Sequence, residues 1–251
     1  MLNKIYNEDC LDTMSKMNDC YIDLVLTSPP YDNIREYNGF TFDYKSVIKN
    51  MYRVVKDGGV VVWVVGDKTH KGSETCTSFK QALFFREVGF KLHDTMIYYK
   101  NFRPGKFPRY YQEFEYMFVF CKGKIKTFNP IMVKTKGYKT SKATIREGDK
   151  LESLSMPETE YRKRGNVWKY NVGFNKTTKD KIAFKHPAIF PDKLAEDHII
   201  SWSNEKDIVY DPFMGSGTTA KMCIKNNRHY IGSEVSKEYC DIIEERLNVN
   251  K

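Results

Sequence analysis

Two short stretches carry residue types that could do chemistry, and they stand far apart in the chain. Thr27-Ser28-Pro29-Pro30-Tyr31 offers a hydroxyl, a rigid turn and an aromatic ring just past an apolar run. Successive prolines fix φ and remove N–H donors, so a backbone carbonyl between them is held rigidly as an acceptor. With Asp32 next in line, Ser28, Pro29, Pro30, Tyr31 and Asp32 form a candidate catalytic set. It supplies hydrogen-bond acceptors for a reacting group and a ring to stack on a planar one. Downstream, Asp211-Pro212-Phe213-Met214-Gly215-Ser216-Gly217-Thr218-Thr219 is a glycine turn, where the backbone can take positive φ and approach a ligand closely. Glu234 follows at about the 20-residue spacing of dinucleotide sites, where a carboxylate accepts hydrogen bonds from ribose hydroxyls. The turn lacks the lysine of a GxxxxGK[ST] loop, which disfavours a phosphate-cradling P-loop.

The elements that must position these residues alternate between strands and helices. Residues 22–26 read as a buried strand, 46–55 as a helix by the spacing of Val47, Ile48, Met51, Val54 and Val55, and Asp57-Gly58-Gly59 as a turn. The valine run around Trp63, residues 60–65, reads as a central strand covered on both faces. A helix over 79–88 and strands over 94–99 and 115–121 follow. Beyond a long interval come a helix over 192–202, a strand over 207–210, a helix over 218–226, a strand over 229–232 and a closing helix over 236–247. This alternation predicts an α/β fold with a mostly parallel sheet and helices on both faces.

The interval from 122 to 185 breaks the rhythm and carries the charge. It holds 17 Lys and Arg against 6 Asp and Glu, a surplus larger than the +9 of the whole chain. A basic excess confined to one segment predicts a polyanion-facing surface, with Arg162, Lys163 and Arg164 at its densest point. Phe128, Tyr138, Tyr161, Trp168, Tyr170 and Phe174 within it are read as stacking groups. A second basic and aromatic run, from 102 to 111, adds Arg103, Lys106, Arg109 and Tyr110 as nucleic-acid contacts. Tyr37, Tyr99, Lys100 and Tyr111 follow strand ends on the same side. The six cysteines have no CxxC spacing and no histidine cluster, so they are expected to be reduced, with no structural metal. No run reaches the roughly 20 apolar residues of a membrane span, and the N-terminus has no signal-like stretch, so a cytoplasmic protein off the membrane is expected.

DPFMGSGTT followed by an acid, with SPPY earlier in the chain, resembles the amino-methylating DNA methyltransferases. That family uses S-adenosylmethionine to methylate the exocyclic N4 of cytosine or N6 of adenine. The resemblance implies that Asp211, Pro212, Phe213, Gly215, Ser216, Gly217, Thr218 and Thr219 hold the methionine end of the cofactor and Glu234 its ribose. His186-Pro187-Ala188-Ile189-Phe190-Pro191, with Leu194, resembles the family's HPAxFP segment, which places His186, Pro187, Phe190 and Pro191 on the cofactor pocket. Asn7-Glu8-Asp9-Cys10-Leu11 resembles its GDCL, whose acid, here Asp9, lies near the adenine. The motif order, with SPPY first, resembles the β group, a circular permutation of the shared fold. The resemblance therefore implies a Rossmann-like methyltransferase fold with a seven-stranded sheet. Its catalytic half would span 1–121, a target-recognition insertion 122–185 and a cofactor-binding half 186–251.

In this reading the amine lone pair is delocalised into the base, so the enzyme must orient it in line and accept its protons. Ser28 Oγ and the Pro29 carbonyl suit that work, and Tyr31 can stack on a base flipped out of the duplex. Asp32 could take the proton afterwards. Within the family serine at the first position goes mostly with N4-cytosine, which is the preferred target. N6-adenine is the alternative, and an RNA methyltransferase a further one. No Pro-Cys pair is present for C5-cytosine attack. An inactive DNA-binding relative would be expected to lose these motifs, and a dinucleotide oxidoreductase would leave SPPY unexplained. The expected partner is double-stranded DNA, with a cognate restriction endonuclease and the choice of monomer or homodimer left open.

Overall fold

The run of valines is the middle of a sheet, with residues of both parities buried from Val60 to Val65. The structure, a computed structural model, describes residues 1–30, 42–100, 108–135, 142–147, 150–155 and 160–248. The chain divides into two compact units, Met1–Asn129 with Asn166–Lys251, and Pro130–Gly165.

The first unit begins with β1 (Lys4–Tyr6), α1 (Cys10–Ser15), β2 (Ile22–Thr27), α2 (Tyr44–Val54) and β3 (Val55–Val65). A small hairpin of β4 (Thr69–His70) and β5 (Ser73–Glu74) leads to α3 (Thr77–Val88), β6 (Lys91–Tyr99) and β7 (Phe114–Cys121). The second unit carries β8 (Met132–Lys134), β9 (Lys142–Glu147), β10 (Lys150–Ser155) and β11 (Tyr161–Lys163). Its strands pair antiparallel, β8 with β11 and β9 with β10. The chain re-enters the first unit through β12 (Val167–Lys169) and a 3₁₀ turn (Lys181–Lys185). It closes with α4 (Asp192–Trp202), β13 (Ile208–Asp211), α5 (Thr218–Lys225), β14 (His229–Ser233) and α6 (Lys237–Asn248).

Eight strands form one sheet in the order β1-β14-β13-β2-β3-β7-β6-β12. Neighbours are parallel except at β7, which runs antiparallel to both β3 and β6. The carboxyl ends of β14, β13, β2, β3 and β6 therefore share one edge with the start of β7. In open α/β sheets that edge is where ligands bind.

The sheet departs from the expected seven strands. β12 lies inside the segment read as an insertion, yet it adds to β6, and residues 166–185 belong to the first unit. Its three residues are too few to show a period, and only Trp168 among them is buried. The short β1 and α1 escaped the pattern reading for the same reason. The turn expected at Asp57-Gly58-Gly59 is instead an irregularity within β3, where Ile22 faces Val55 and Leu24 faces Val60. Gly58 absorbs it with φ +85°, and its amide donates to the Lys122 carbonyl at 2.7 Å.

Helices begin and end on readable signals. Asp43 caps α2 by accepting from the amides of Lys45 and Ser46, and Val47, Ile48, Met51 and Val54 face the core. Gly89, with φ +120°, ends α3. Trp63 is fully buried beneath α3, its indole donating to Gln81 at 2.8 Å, and Phe85 stacks on Phe120 at 4.1 Å between centroids. This aromatic layer makes the sheet a rigid platform for its carboxyl edge.

Candidate active site

A cavity of about 1020 Å³ opens at that edge and is lined by both motifs. Ser28, Pro29 and Pro30 leave the end of β2, while Pro212, Phe213, Met214, Gly215 and Ser216 leave the end of β13. β2 and β13 are adjacent parallel strands, so residues 184 positions apart in sequence become neighbours.

Asp211 joins the two turns. Its Oδ1 accepts from Thr27 Oγ1 at 2.7 Å and from the Phe213 amide at 3.0 Å, and its Oδ2 accepts from Thr219 Oγ1 at 2.7 Å. Burial raises this carboxyl to a pKa of about 6, against which the three hydrogen bonds pull down. The residue expected to hold cofactor thus spends its carboxylate on protein groups: the residue before Ser28, the turn itself and the first helical turn of α5.

Glu234, just past β14, does the same for the other side of the turn. Its Oε2 accepts from the Gly215 amide at 2.8 Å and its Oε1 from the Ser236 amide at 2.9 Å. Burial pushes this carboxyl up, and the two amides oppose the rise. A carboxylate has about four lone-pair sites, so two such bonds leave acceptor capacity facing the cavity.

Arg246, on α6, is the residue that sequence reasoning missed. Its side chain is fully buried and makes ion pairs with Asp180 and Asp192, each at 2.7 Å. It also donates to the Ser216 carbonyl and to Thr218 Oγ1, both at 2.9 Å. The far side of the glycine turn is thereby fixed to the last helix. Gly217, with φ +80°, is set against Ile243 of α6, where a Cβ would come within 2.9 Å of Cγ2, and it is absent from the cavity wall. The structure thus gives this glycine a packing role against α6. Gly215, with φ +55°, does face the cavity, beside the His186 ring.

His186, Pro187, Phe190 and Pro191 line the same cavity. His186 Nδ1 accepts from the Ala188 amide at 3.1 Å, its ring packs edgewise on Tyr239, and the Phe190 carbonyl accepts from Thr218 Oγ1. Asp9 lines it too, and caps α1 through the Leu11 amide at 2.7 Å. Thr218 and Thr219 complete the wall. Tyr31 and Asp32 lie outside the described residues, as do Tyr37, Arg103 and Lys106.

Residues 22–245, nearly the whole chain, match the DNA methylase family of N6 and N4 methyltransferases. The chain belongs to this family. It is 58% identical over 241 residues to the orphan methyltransferase M.BamHII of Bacillus amyloliquefaciens, covering 92% of this chain and 90% of that relative. The crystal structure of the M1.HpyAVI–SAM complex is similar at TM-score 0.63 and 26% identity, over 97% of this chain and 98% of that one. The cytosine-N4-specific PvuII DNA methyltransferase shares the fold, with TM-score 0.72 and 21% identity over 97% and 85% of the two chains.

In this methylase the basic segments are not uniformly exposed. Arg109 pairs with Glu74 and donates to the Gly72 carbonyl, while the Tyr110 side chain is fully exposed. Arg162 and Lys163 are exposed on β11, and Arg164 follows half-buried. Tyr161 and Phe174 are exposed, and Phe128 stacks on Trp202. Trp168 and Tyr170, read as stacking groups, are instead buried in the first unit. Trp168 packs on His198 and the Tyr170 hydroxyl donates to Asp197 at 2.7 Å. Tyr138 lies outside the described residues. No group of His, Cys, Asp and Glu suited to a metal ion occurs among the described residues, and no helix there is long and apolar enough to cross a membrane.

Proposed function

We propose that this methylase transfers the methyl group of S-adenosylmethionine to the N4 amine of a cytosine flipped out of double-stranded DNA. The observation that carries the reading is a single cavity lined by both the Ser28-Pro29-Pro30 turn and the Gly215–Glu234 turn. Its volume lies at the upper end of the usual ligand-pocket range, enough for a cofactor and a base side by side.

The residues present fit the cofactor. The buried Glu234 carboxylate suits ribose hydroxyls, and Gly215 leaves the backbone open to close approach at the start of α5. Bound there, S-adenosylmethionine supplies an electrophilic methyl on its sulfonium. The chain supplies orientation and charge placement. Ser28 Oγ and the Pro29 carbonyl accept the two amine protons, which favours a tetrahedral nitrogen and spreads its developing positive charge. Thr27, bonded to Asp211, keeps that turn in register with the glycine turn, so nitrogen and methyl are held in line. Tyr31 stacks on the extruded base, and Asp32 is the carboxylate in sequence reach of the proton the amine sheds. The basic surface of 122–185 binds the DNA backbone, and the enzyme acts without a cognate endonuclease, as the name of its orphan relative states for that protein.

Serine at position 28 favours cytosine. The test is to methylate mixed DNA with labelled cofactor, digest it to nucleosides and identify the labelled one. Label in N4-methylcytosine is expected. Label in N6-methyladenine would move the enzyme to the adenine branch, and DNA left unlabelled while RNA offered in a parallel reaction takes up label would overturn DNA as substrate.

A further inference from the structure

Among the described residues, the cavity wall carries a charged pair that amine activation leaves unused. Lys100 directly follows β6 and Glu115 stands near the start of β7, and both line the cavity together with Tyr98. Tyr98 faces Glu115 in the ladder, and the Lys100 amide donates to the Glu113 carbonyl at 2.8 Å, so these residues sit on the last rungs of the β6–β7 pairing. The Lys100 ammonium donates to Glu115 Oε1 and lies 5.9 Å from the centre of the Tyr98 ring. The pair is mostly screened from water, with side chains 26% and 15% exposed.

Sheet order sets this pair apart from the cofactor turn. β13 and β14 lie on one side of β2, and β3, β7 and β6 on the other. β7 is two strand spacings from β2 and β6 three, roughly 10 and 15 Å, a gap narrowed by the Lys100 side chain on the wall of the cavity it shares with Ser28. The amine and the ring nitrogen beside it lie on one edge of the base, so a base that turns this edge to Ser28 can meet the Lys100–Glu115 pair on the wall of the same cavity.

Cytosine and adenine share one pattern at that edge: the exocyclic amine sits beside a ring nitrogen with a free lone pair, N3 or N1. Thymine and the six-carbonyl edge of guanine present a carbonyl beside an N–H instead. Acceptors at Ser28 and Pro29 match the amine; the ring nitrogen calls for a donor. Resting on the reading of the Ser28 turn as the amine site, we propose that Lys100, oriented by Glu115, donates from Nζ to this ring nitrogen. Lys100 is then a specificity-determining residue that selects the amine-bearing bases. An ammonium has three protons, and Glu115 takes one of them. Glu115 also cancels the charge of Lys100, so a cationic sulfonium can occupy the same cavity without repulsion.

A cycle between protein and base tests this. The full-length enzyme is assayed on duplexes carrying its mapped target base, and on the same duplexes with 3-deazacytosine, or 1-deazaadenine if adenine is the target. The analogue replaces the ring nitrogen by C–H and keeps the amine. Losing one hydrogen bond to a charged donor is expected to lower kcat/KM about 10- to 100-fold. Lys100→Met should cause a similar loss on the natural base and little further loss on the analogue, while Lys100→Arg should recover part of the activity and remain sensitive to the analogue. Cofactor titration of each variant reports folding, and should be unchanged. If Lys100→Met loses cofactor binding, the Lys100→Arg cycle decides: insensitivity to the analogue overturns the proposal. Losses that multiply in Lys100→Met, or a wild type indifferent to the analogue, overturn it too. Those outcomes leave the amine reading standing, whereas a wild type that forms no amino-methylated nucleoside removes that reading before the cycle is run.

Discussion

Burial raises Asp211 to a pKa of about 6, so the carboxylate linking the two turns is ionised at neutral pH and protonated in mild acid. Its ordinary value is 3.8, so between about pH 4 and 6 the unfolded chain releases this proton before the folded one does. The stability contribution is complete below that window and is lost as the pH rises through it. Wild type should lose about 3 kcal/mol across the window relative to Asp211→Asn, whose stability should lack that slope. Chemical denaturation of both proteins at a series of pH values checks it, and equal slopes would show that Asp211 does not titrate there. On the proposed role of the Ser28 turn, Ser28→Ala should act on chemistry instead. Losing the proposed acceptor of an amine proton should lower kcat about 100-fold while cofactor affinity stays at its wild-type value, as read by turnover and titration. Equal loss of both would sink the assignment.

At the scale of elements, the glycine turn is held from two directions, by Glu234 at the end of β14 and by Arg246 on α6. Arg246→Met leaves Asp180 and Asp192 with Lys221 as their remaining cation, at 2.6 and 3.1 Å. The expected cost is about 3 kcal/mol in urea denaturation, with weakened cofactor binding, since the Ser216 carbonyl loses its donor. Gly217→Ala should also destabilise, by at least about 1 kcal/mol, because the new Cβ meets Ile243 at a positive φ. Unchanged thermal stability in Gly217→Ala would contradict this packing. The motif residues on the cavity were legible because short-range spacing encodes a turn: Gly215 and Glu234 mark strand ends by themselves. Arg246 was not, since an arginine in the last turn of an amphipathic helix looks like any solvated charge. The Thr27–Asp211 bond was hidden for a different reason, because it depends on which strands become neighbours. Trp168 and Tyr170 misled through composition: aromatics among lysines resemble a stacking surface, and only the pairing of β12 with β6 reveals them as core.

At the scale of the whole molecule, the basic surplus of 122–185 is divided between the two units, and Arg162, Lys163 and Arg164 fall in the second. Replacing these three by alanine should weaken DNA binding and reduce the slope of log K against log salt by up to about 3, one per lost phosphate contact. A slope unchanged from wild type would remove them from the interface. The second unit leaves the first after Asn129, whose side chain donates to the Ile200 and Ser203 carbonyls at 3.1 Å. The chain returns at Asn166, which bonds Asp94 and the Thr95 carbonyl, and whose own carbonyl accepts from the Ile97 amide at 2.8 Å. Two asparagines thus moor the exit and the re-entry to the same scaffold. The sheet edge at both crossings is therefore held by bonds within the first unit itself, so the seam tolerates changes in the length or composition of the stretch between the two asparagines.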